Sequence, residues 1–333
     1  MDLRASPKNQ GLSFRAKLVT SMGRYTFVDY ASQAYSAVAA LLILVFHNQT
    51  VPAWPWLLAA HALGLAAVHR LVQPHAPGRL ARAQGFLRHF YPVLLYLWFF
   101  CETGWVNRMF FPEFLDPMVI RWEEALFGCQ PGVLFMEKLP WLAVSEVFYA
   151  AYFSYYLMIA GVGLALFLRS RRQFFHYLSV VSFLFYVCYL IYIFLPVIGP
   201  RLFFGPVGGY SLPLEVWRMA PVQAYPAAVQ SGFFFELMGW IYRVFEAPGS
   251  SLPSSHVAVA WCTVYFSFRY LKPVRYVHLV LAFLLTLSTI YCHYHYGVDV
   301  LAGLLAFALV VPLGNWLYFR FGDEPSEPGP TFH

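Results

Sequence analysis

Charge is scarce in this chain. Only 11% of its 333 residues are Asp, Glu, Lys or Arg, where a soluble domain carries about a quarter. Set beside 60% hydrophobic residues, that scarcity excludes a disordered chain, a collagen-like fibre and a soluble globular domain. Acidic residues are the rarer sign, sixteen against twenty-two basic, for a net charge of +6. The basic excess falls in small clusters between apolar stretches and not along one stripe, so it implies no nucleic-acid surface. Cysteine is sparse as well. Cys101, Cys129, Cys188, Cys262 and Cys292 are scattered, with no CxxC pair and no Cys/His metal spacing, and they serve as small apolar fillers. No internal repeat is present. No small-residue cleavage site follows the first apolar run, which is expected to be a retained span and not a signal peptide.

What remains is a polytopic, all-α integral membrane protein. A hydrocarbon core about 30 Å thick takes roughly 20 apolar residues of helix. Runs of about that length lie near residues 27–47, 54–72, 86–104, 143–168, 174–195, 254–271, 274–291 and 298–318, giving about eight expected spans. The basic clusters sit on alternate connections: the N-terminal tail, Arg70 to Arg88, Arg169 to Arg172, Arg269 to Arg275, and Arg320. By the positive-inside rule those connections and both termini are cytoplasmic. The expected organisation is a tail with two additional spans (1–85), a six-helix catalytic core (86–318), and a disordered cytoplasmic tail (319–333). Two long connections, 105–142 and 196–253, then lie outside. The first contains Trp122-Glu123-Glu124-Ala125-Leu126-Phe127-Gly128, suited to an interfacial helix, and the second a short amphipathic helix around Phe233–Phe245.

Three fragments carry the chemistry. Gly199-Pro200-Arg201 follows the fifth span, Pro253-Ser254-Ser255-His256 opens the sixth, and His295-Tyr296-Gly297-Val298-Asp299 joins the seventh to the eighth. Alternation of the spans brings all three to the outer face. The free N–H groups at a helix start capped by Ser254 and Ser255, with Pro253 in its first turn, make an anion site. Arg201 offers a planar fork for two phosphate oxygens. His295 and Asp299 are four apart, so the carboxylate can take the N–H of one ring nitrogen and leave the other to attack. His256 remains to protonate the leaving oxygen and later to deprotonate the acceptor.

This ordered set resembles the type 2 phosphatidic acid phosphatase superfamily over roughly residues 86–315. The resemblance implies a six-helix core, a phosphohistidine intermediate, no cofactor and no metal requirement. It implies His295 as nucleophile, Asp299 as its orienting partner, His256 as general acid and base, and Arg201, Ser254 and Ser255 as phosphate ligands. Several positions depart from the phosphatase branch. Phe194 stands where a lysine precedes the motif arginine, Leu202 follows Arg201 in place of proline, Ser255 replaces glycine, and Thr289 replaces an arginine six residues before the nucleophile. The stretch Trp122–Gly128 with Gln130-Pro131, and the run Leu287-Ser288-Thr289-Ile290-Tyr291, look instead like the inositol phosphorylceramide synthase branch. That branch passes a phosphorylated headgroup from one lipid to another.

The two missing cations bear on the substrate. A phosphomonoester carries about two negative charges at neutral pH. A phosphodiester carries one, which a single arginine and helix N–H groups can balance. Arg218 or Arg243 could restore the missing charge from the long outer loop. The expected partners are membrane lipids as donor and acceptor, with no nucleic acid. Lipid hydroxyl is favoured as acceptor, with water, and hence a lipid phosphatase, as the alternative; a transporter with a His/Asp proton relay is a third reading. His293 is expected to pack, Glu102 and Glu146 to be paired or solvated, and His61 and His69 to face other helices or the interface.

Overall fold

A computed structural model describes residues 25–73, 79–203, 225–245 and 247–321. The basic N-terminal tail, Arg218 and the tail beyond Phe321 lie outside the described residues. Among the described residues thirteen helices follow one another: α1 Phe27–Phe46, α2 Trp54–Val72, α3 Arg79–Val106, α4 Asp116–Phe127, α5 Pro131–Lys138, α6 Leu142–Arg169, α7 Arg171–Phe194, α8 Pro200–Phe203, α9 Ala227–Gln230, α10 Phe233–Phe245, α11 Ser255–Tyr270, α12 Arg275–Tyr291 and α13 Gly297–Phe321. No strand occurs among the described residues; Val197 and Ser250 make one isolated parallel bridge.

All eight apolar runs are helical, but their lengths differ. Among the described residues five helices, α1, α2, α6, α7 and α13, are long and apolar enough to cross a membrane. This is a multi-pass membrane protein. The other three fall short of that measure for identifiable reasons. Helix α3 runs 28 residues but carries Arg88, Glu102 and an internal Pro92. Helix α11 has only 16 residues because Ser254 caps it, and α12 is apolar with 17.

Helix α7 stands at the centre. Residues all around it are buried, from Phe174 through Ile193, as expected of a helix apolar on every face. It packs against α1, α3, α6, α11 and α13. Small residues allow close approach, as in membrane bundles generally. A Cβ on Gly303 of α13 would stand 2.5 Å from the carbonyl oxygen of Ser254, so only glycine lets α13 lie against the start of α11.

The bundle has two distinct ends. At one, the Arg169 guanidinium donates to the carbonyl of Tyr270 (2.5 Å), and His176 bridges the Tyr270 hydroxyl (2.8 Å) and Asn315 Oδ1 (2.7 Å). The basic clusters around Arg169–Arg172 and Arg269–Arg275 therefore share one end. The opposite ends of α7, α11 and α13 carry the three motif fragments. Near α1, Arg88 is buried and pairs with Asp29, which also accepts the Tyr91 hydroxyl (2.5 Å).

Candidate active site

The loop after α7 turns sharply. Gly199 has φ +94°, and a Cβ there would lie 2.9 Å from the Tyr294 carbonyl oxygen, so glycine is required twice over. The turn delivers Arg201, whose N–H donates to the His293 carbonyl (2.6 Å). The guanidinium lies over the rings of Tyr242 (4.6 Å) and Tyr294 (5.7 Å).

At the start of α11, Ser254 is the N-cap, its hydroxyl accepting Val257 N–H (3.3 Å). Pro253 precedes the cap and so lies outside the first turn, because Ser254 has extended dihedrals. The Ser254 N–H donates to the Asp299 carbonyl (3.0 Å) and the Ser255 N–H to the Tyr192 hydroxyl (3.3 Å). Both serine side chains are buried at this joint and neither lines the cavity described below. His256 projects from the first turn between the rings of Tyr152 and Tyr155.

The third fragment straddles a loop and a helix start. His293 has φ 62°, and Tyr294 and His295 both donate their N–H to the Thr289 carbonyl (3.0 Å). Helix α13 begins only at Gly297, so His295 precedes the helix that carries Asp299. His295 Nδ1 lies 3.0 Å from the Ser251 carbonyl oxygen, 3.1 Å from Ser251 Oγ and 3.5 Å from Asp299 Oδ2. A carbonyl oxygen only accepts, so Nδ1 bears the proton and Nε2 the lone pair. That Nε2 stands 3.3 Å from His256 Nδ1. Asp299 Oδ2 accepts from the Ser251 hydroxyl (2.6 Å) and from Tyr296 N–H (3.0 Å). His256, His295, Arg201, Ser250, Ser251, Tyr242 and Tyr294 line a cavity of about 50 Å³, with Phe100 of α3 also in its wall.

A family model described as the PAP2 superfamily matches residues 117–313, well over half of the chain. The chain belongs to the PAP2 superfamily. Membership places it among enzymes of the lipid phosphatase and phosphotransferase type. The match takes in all three fragments and nearly all of α4, while α1 to α3 precede it. Searches of curated proteins and of solved structures found no match.

Within this PAP2 enzyme α4 holds two of the three fragments together. Asp116, fully buried, accepts the N–H of Ile198 (2.8 Å) and of Gly199 (2.9 Å) and the hydroxyl of Tyr296 (2.9 Å). One carboxylate thereby ties the Arg201 turn to the His295 loop. Glu123, about two turns along on the same face of α4, accepts Gly297 N–H (2.5 Å) at the positive end of α13. In the sequence Glu123 stands out only as part of an interfacial stretch, and neither Asp116 nor Ser251 belongs to a motif. The one local signal for Asp116 is its place before Pro117 at a helix start.

Burial pushes the Asp116 carboxyl up to about 7 against the pull of the two amides and the tyrosine hydroxyl, and pushes Glu123 up to about 8 against Gly297 N–H. Folded protein therefore keeps the Glu123 proton from the ordinary carboxylate range near 4 up to about 8, where the unfolded chain has lost it. Stability falls as pH rises through that window. Glu123→Gln is expected to flatten the pH dependence of the thermal midpoint between about pH 5 and 8, as scanning calorimetry in detergent would show.

The remaining expectations sort cleanly. His293 packs: it stacks on Tyr225, contacts the Gly132 carbonyl through Nε2 (3.0 Å), and burial lowers it to about 4. Glu146 accepts Phe234 N–H (3.0 Å) and so caps α10. Glu102 pairs with His61 (2.9 Å), which also meets Ser36 (2.9 Å), and His69 meets the Tyr25 hydroxyl (2.8 Å). Thr289 is buried and Phe194 points outward, so neither brings a group to the cavity. Arg243 is exposed on α10 and also lies outside its wall.

Proposed function

We propose that this chain is a lipid phosphotransferase that carries a phosphorylated headgroup from a phospholipid to a lipid hydroxyl through a phosphohistidine at His295. It rests on one observation: His295 Nε2 bears its lone pair 3.3 Å from His256 Nδ1, on a cavity whose wall also holds Arg201. In the first step Nε2 attacks phosphorus, the bond to the departing lipid oxygen breaks, and that oxygen takes a proton from His256 Nδ1. In the second, the acceptor hydroxyl gives its proton to the same nitrogen as its oxygen attacks phosphorus, and the P–N bond breaks. Asp299 orients the nucleophile, Arg201 holds the phosphoryl oxygens, and the first turn of α11 with Ser254 and Ser255 adds positive potential behind His256.

Two features support a diester donor and the synthase-like branch. Among the described residues, Arg201 is the one Lys or Arg in the cavity wall. That single charge matches a phosphodiester better than a phosphomonoester. The residues Trp122 to Gly128, Gln130-Pro131 and Leu287 to Tyr291 agree with that branch, and Glu123 within them caps α13. The site lies at the end opposite the basic clusters Arg169–Arg172 and Arg269–Arg275, which supports an outward-facing active site with cytoplasmic termini.

The test uses purified protein and His295→Ala in lipid nanodiscs, supplied with phosphomonoester and phosphodiester lipids and lipid alcohols in the presence of EDTA. A new headgroup-bearing lipid that appears by mass spectrometry with the native protein and not the variant is the expected result. Free phosphate, or free headgroup phosphate formed whatever alcohol is present, would make water the acceptor and the enzyme a lipid phosphatase.

A further inference from the structure

Between the nucleophile and its carboxylate stands a residue that the reaction as described does not use. His295 Nδ1 and Asp299 Oδ2 are 3.5 Å apart, too far for a good hydrogen bond. Ser251 fills the gap: its hydroxyl is 2.6 Å from Asp299 Oδ2 and 3.1 Å from His295 Nδ1, and its carbonyl oxygen is 3.0 Å from the same Nδ1. The directions are set by chemistry. An ionised carboxylate only accepts, so the single hydroxyl proton goes to Asp299. The hydroxyl oxygen is then left to accept, together with the carbonyl, from Nδ1–H. We propose that Ser251 is a positioning residue for phosphoryl transfer, its hydroxyl carrying the interaction of Asp299 to the nucleophilic ring and its carbonyl holding that ring in the attacking tautomer. The proposal rests on the phosphohistidine reading above.

The consequence appears when Nε2 bonds to phosphorus and the ring becomes cationic. Two oxygens already aimed at Nδ1–H meet that charge without rearrangement, and one is polarised by the carboxylate behind it. No proton leaves the ring. Asp299 acts through Ser251, and its second oxygen, Oδ1, has no hydrogen-bond partner among the described residues. The loop bearing Ser251 is built to hold it still. Ser251 N–H donates to the Val197 carbonyl (2.9 Å), Ser250 meets Thr103 of α3 (2.8 Å), and Asn107 donates to the Pro248 carbonyl (2.7 Å). Ser251 itself is 3% exposed.

The experiment is a double-mutant cycle on full-length protein in nanodiscs, with bis(p-nitrophenyl) phosphate as diester probe and p-nitrophenolate release as readout. Ser251→Ala, Ser251→Thr, Asp299→Asn and the double variant Ser251→Ala/Asp299→Asn are compared. Ser251→Ala is expected to lower kcat by about 10- to 100-fold with KM within about twofold, and Ser251→Thr, which keeps the hydroxyl, to recover most of it. Asp299→Asn is expected to cost far less in the Ser251→Ala background than alone, because its path to the ring is already cut. A residue that only fills space would lower the thermal midpoint and leave the two effects multiplicative. Native kcat in Ser251→Ala, or an undiminished Asp299→Asn effect in that background, would overturn the proposal. Should Ser251→Ala fail to fold, Ser251→Cys, similar in size but a weak donor, must show the same loss of kcat. His295→Ala in the same assay separates the two levels: an active His295→Ala rejects the phosphohistidine reading itself, whereas a dead one beside an active Ser251→Ala rejects this proposal alone.

Discussion

Replacing His295 with glutamine is expected to abolish the phosphoenzyme and to cut turnover by at least about 10⁴-fold, the scale seen when a covalent nucleophile is removed. Glutamine keeps a polar group beside the Ser251 carbonyl, so the buried loop retains a donor and the fold is expected to survive. The nucleophilic lone pair is lost, however, and nothing else can supply it. The nearest ring, His256, sits 3.3 Å from Nε2 but makes no hydrogen bond to Asp299 or Ser251 that would hold a tautomer. His256→Ala is expected to behave differently. Donors with a good leaving group should still load His295, because they need no acid, and the phosphoenzyme should then persist because no base activates the acceptor. Acid-labile labelling of the protein from a radiolabelled donor, followed over time in the three proteins, measures all of this. Equal labelling of His295→Gln and native protein would reject His295 as the nucleophile.

The second large effect lies outside the cavity. Asp116→Ala removes the acceptor for Ile198 N–H, Gly199 N–H and the Tyr296 hydroxyl at once, in a fully buried position. Each orphaned donor costs about 1–3 kcal/mol, so for three of them a loss of at least about 3 kcal/mol of stability is expected. Function should fail with it. The Ile198–Gly199 turn aims Arg201, and the Tyr296 hydroxyl steadies the loop bearing His295. In whatever fraction folds, the KM for a phosphodiester donor should rise, since Arg201 is no longer held over Tyr242 and Tyr294. Asp116→Asn should be milder, because its amide still offers one accepting oxygen, yet it turns a second donor toward backbone N–H groups. Thermal midpoints and donor KM for native, Asn and Ala proteins should fall in that order. A native-like midpoint for Asp116→Ala would mean that α4 does not hold the site together.

The contrast between these two residues shows how far the chain could be understood unfolded. His295 and Asp299 are four apart, and Pro253 to His256 are contiguous, so these candidates are legible in short windows. Asp116 meets partners 82, 83 and 180 residues away. Ser251 meets His295 across 44 residues and Asp299 across 48. No spacing rule links such positions, and a lone Asp or Ser is too common to mark itself. Ser254 and Ser255 illustrate the reverse. They stand within the motif, yet their backbone N–H groups meet the Asp299 carbonyl and the Tyr192 hydroxyl while the Ser254 hydroxyl caps α11, and the first two partners lie far along the chain.

Composition alone determined that this is an all-helical membrane protein, because scarce charge and apolar runs of span length leave the backbone no other way to satisfy its hydrogen bonds in lipid. Short motifs marked His256, His295, Arg201 and Asp299 as candidates, since each motif is contiguous or spans a few residues. Tertiary structure alone decided how the parts are held: α4 reaching to both motif loops, Ser251 set between ring and carboxylate, and spans of unequal length around α7. Those outcomes depend on which donors and acceptors meet once the helices pack, and a buried polar group takes whatever partner the packed bundle brings within reach.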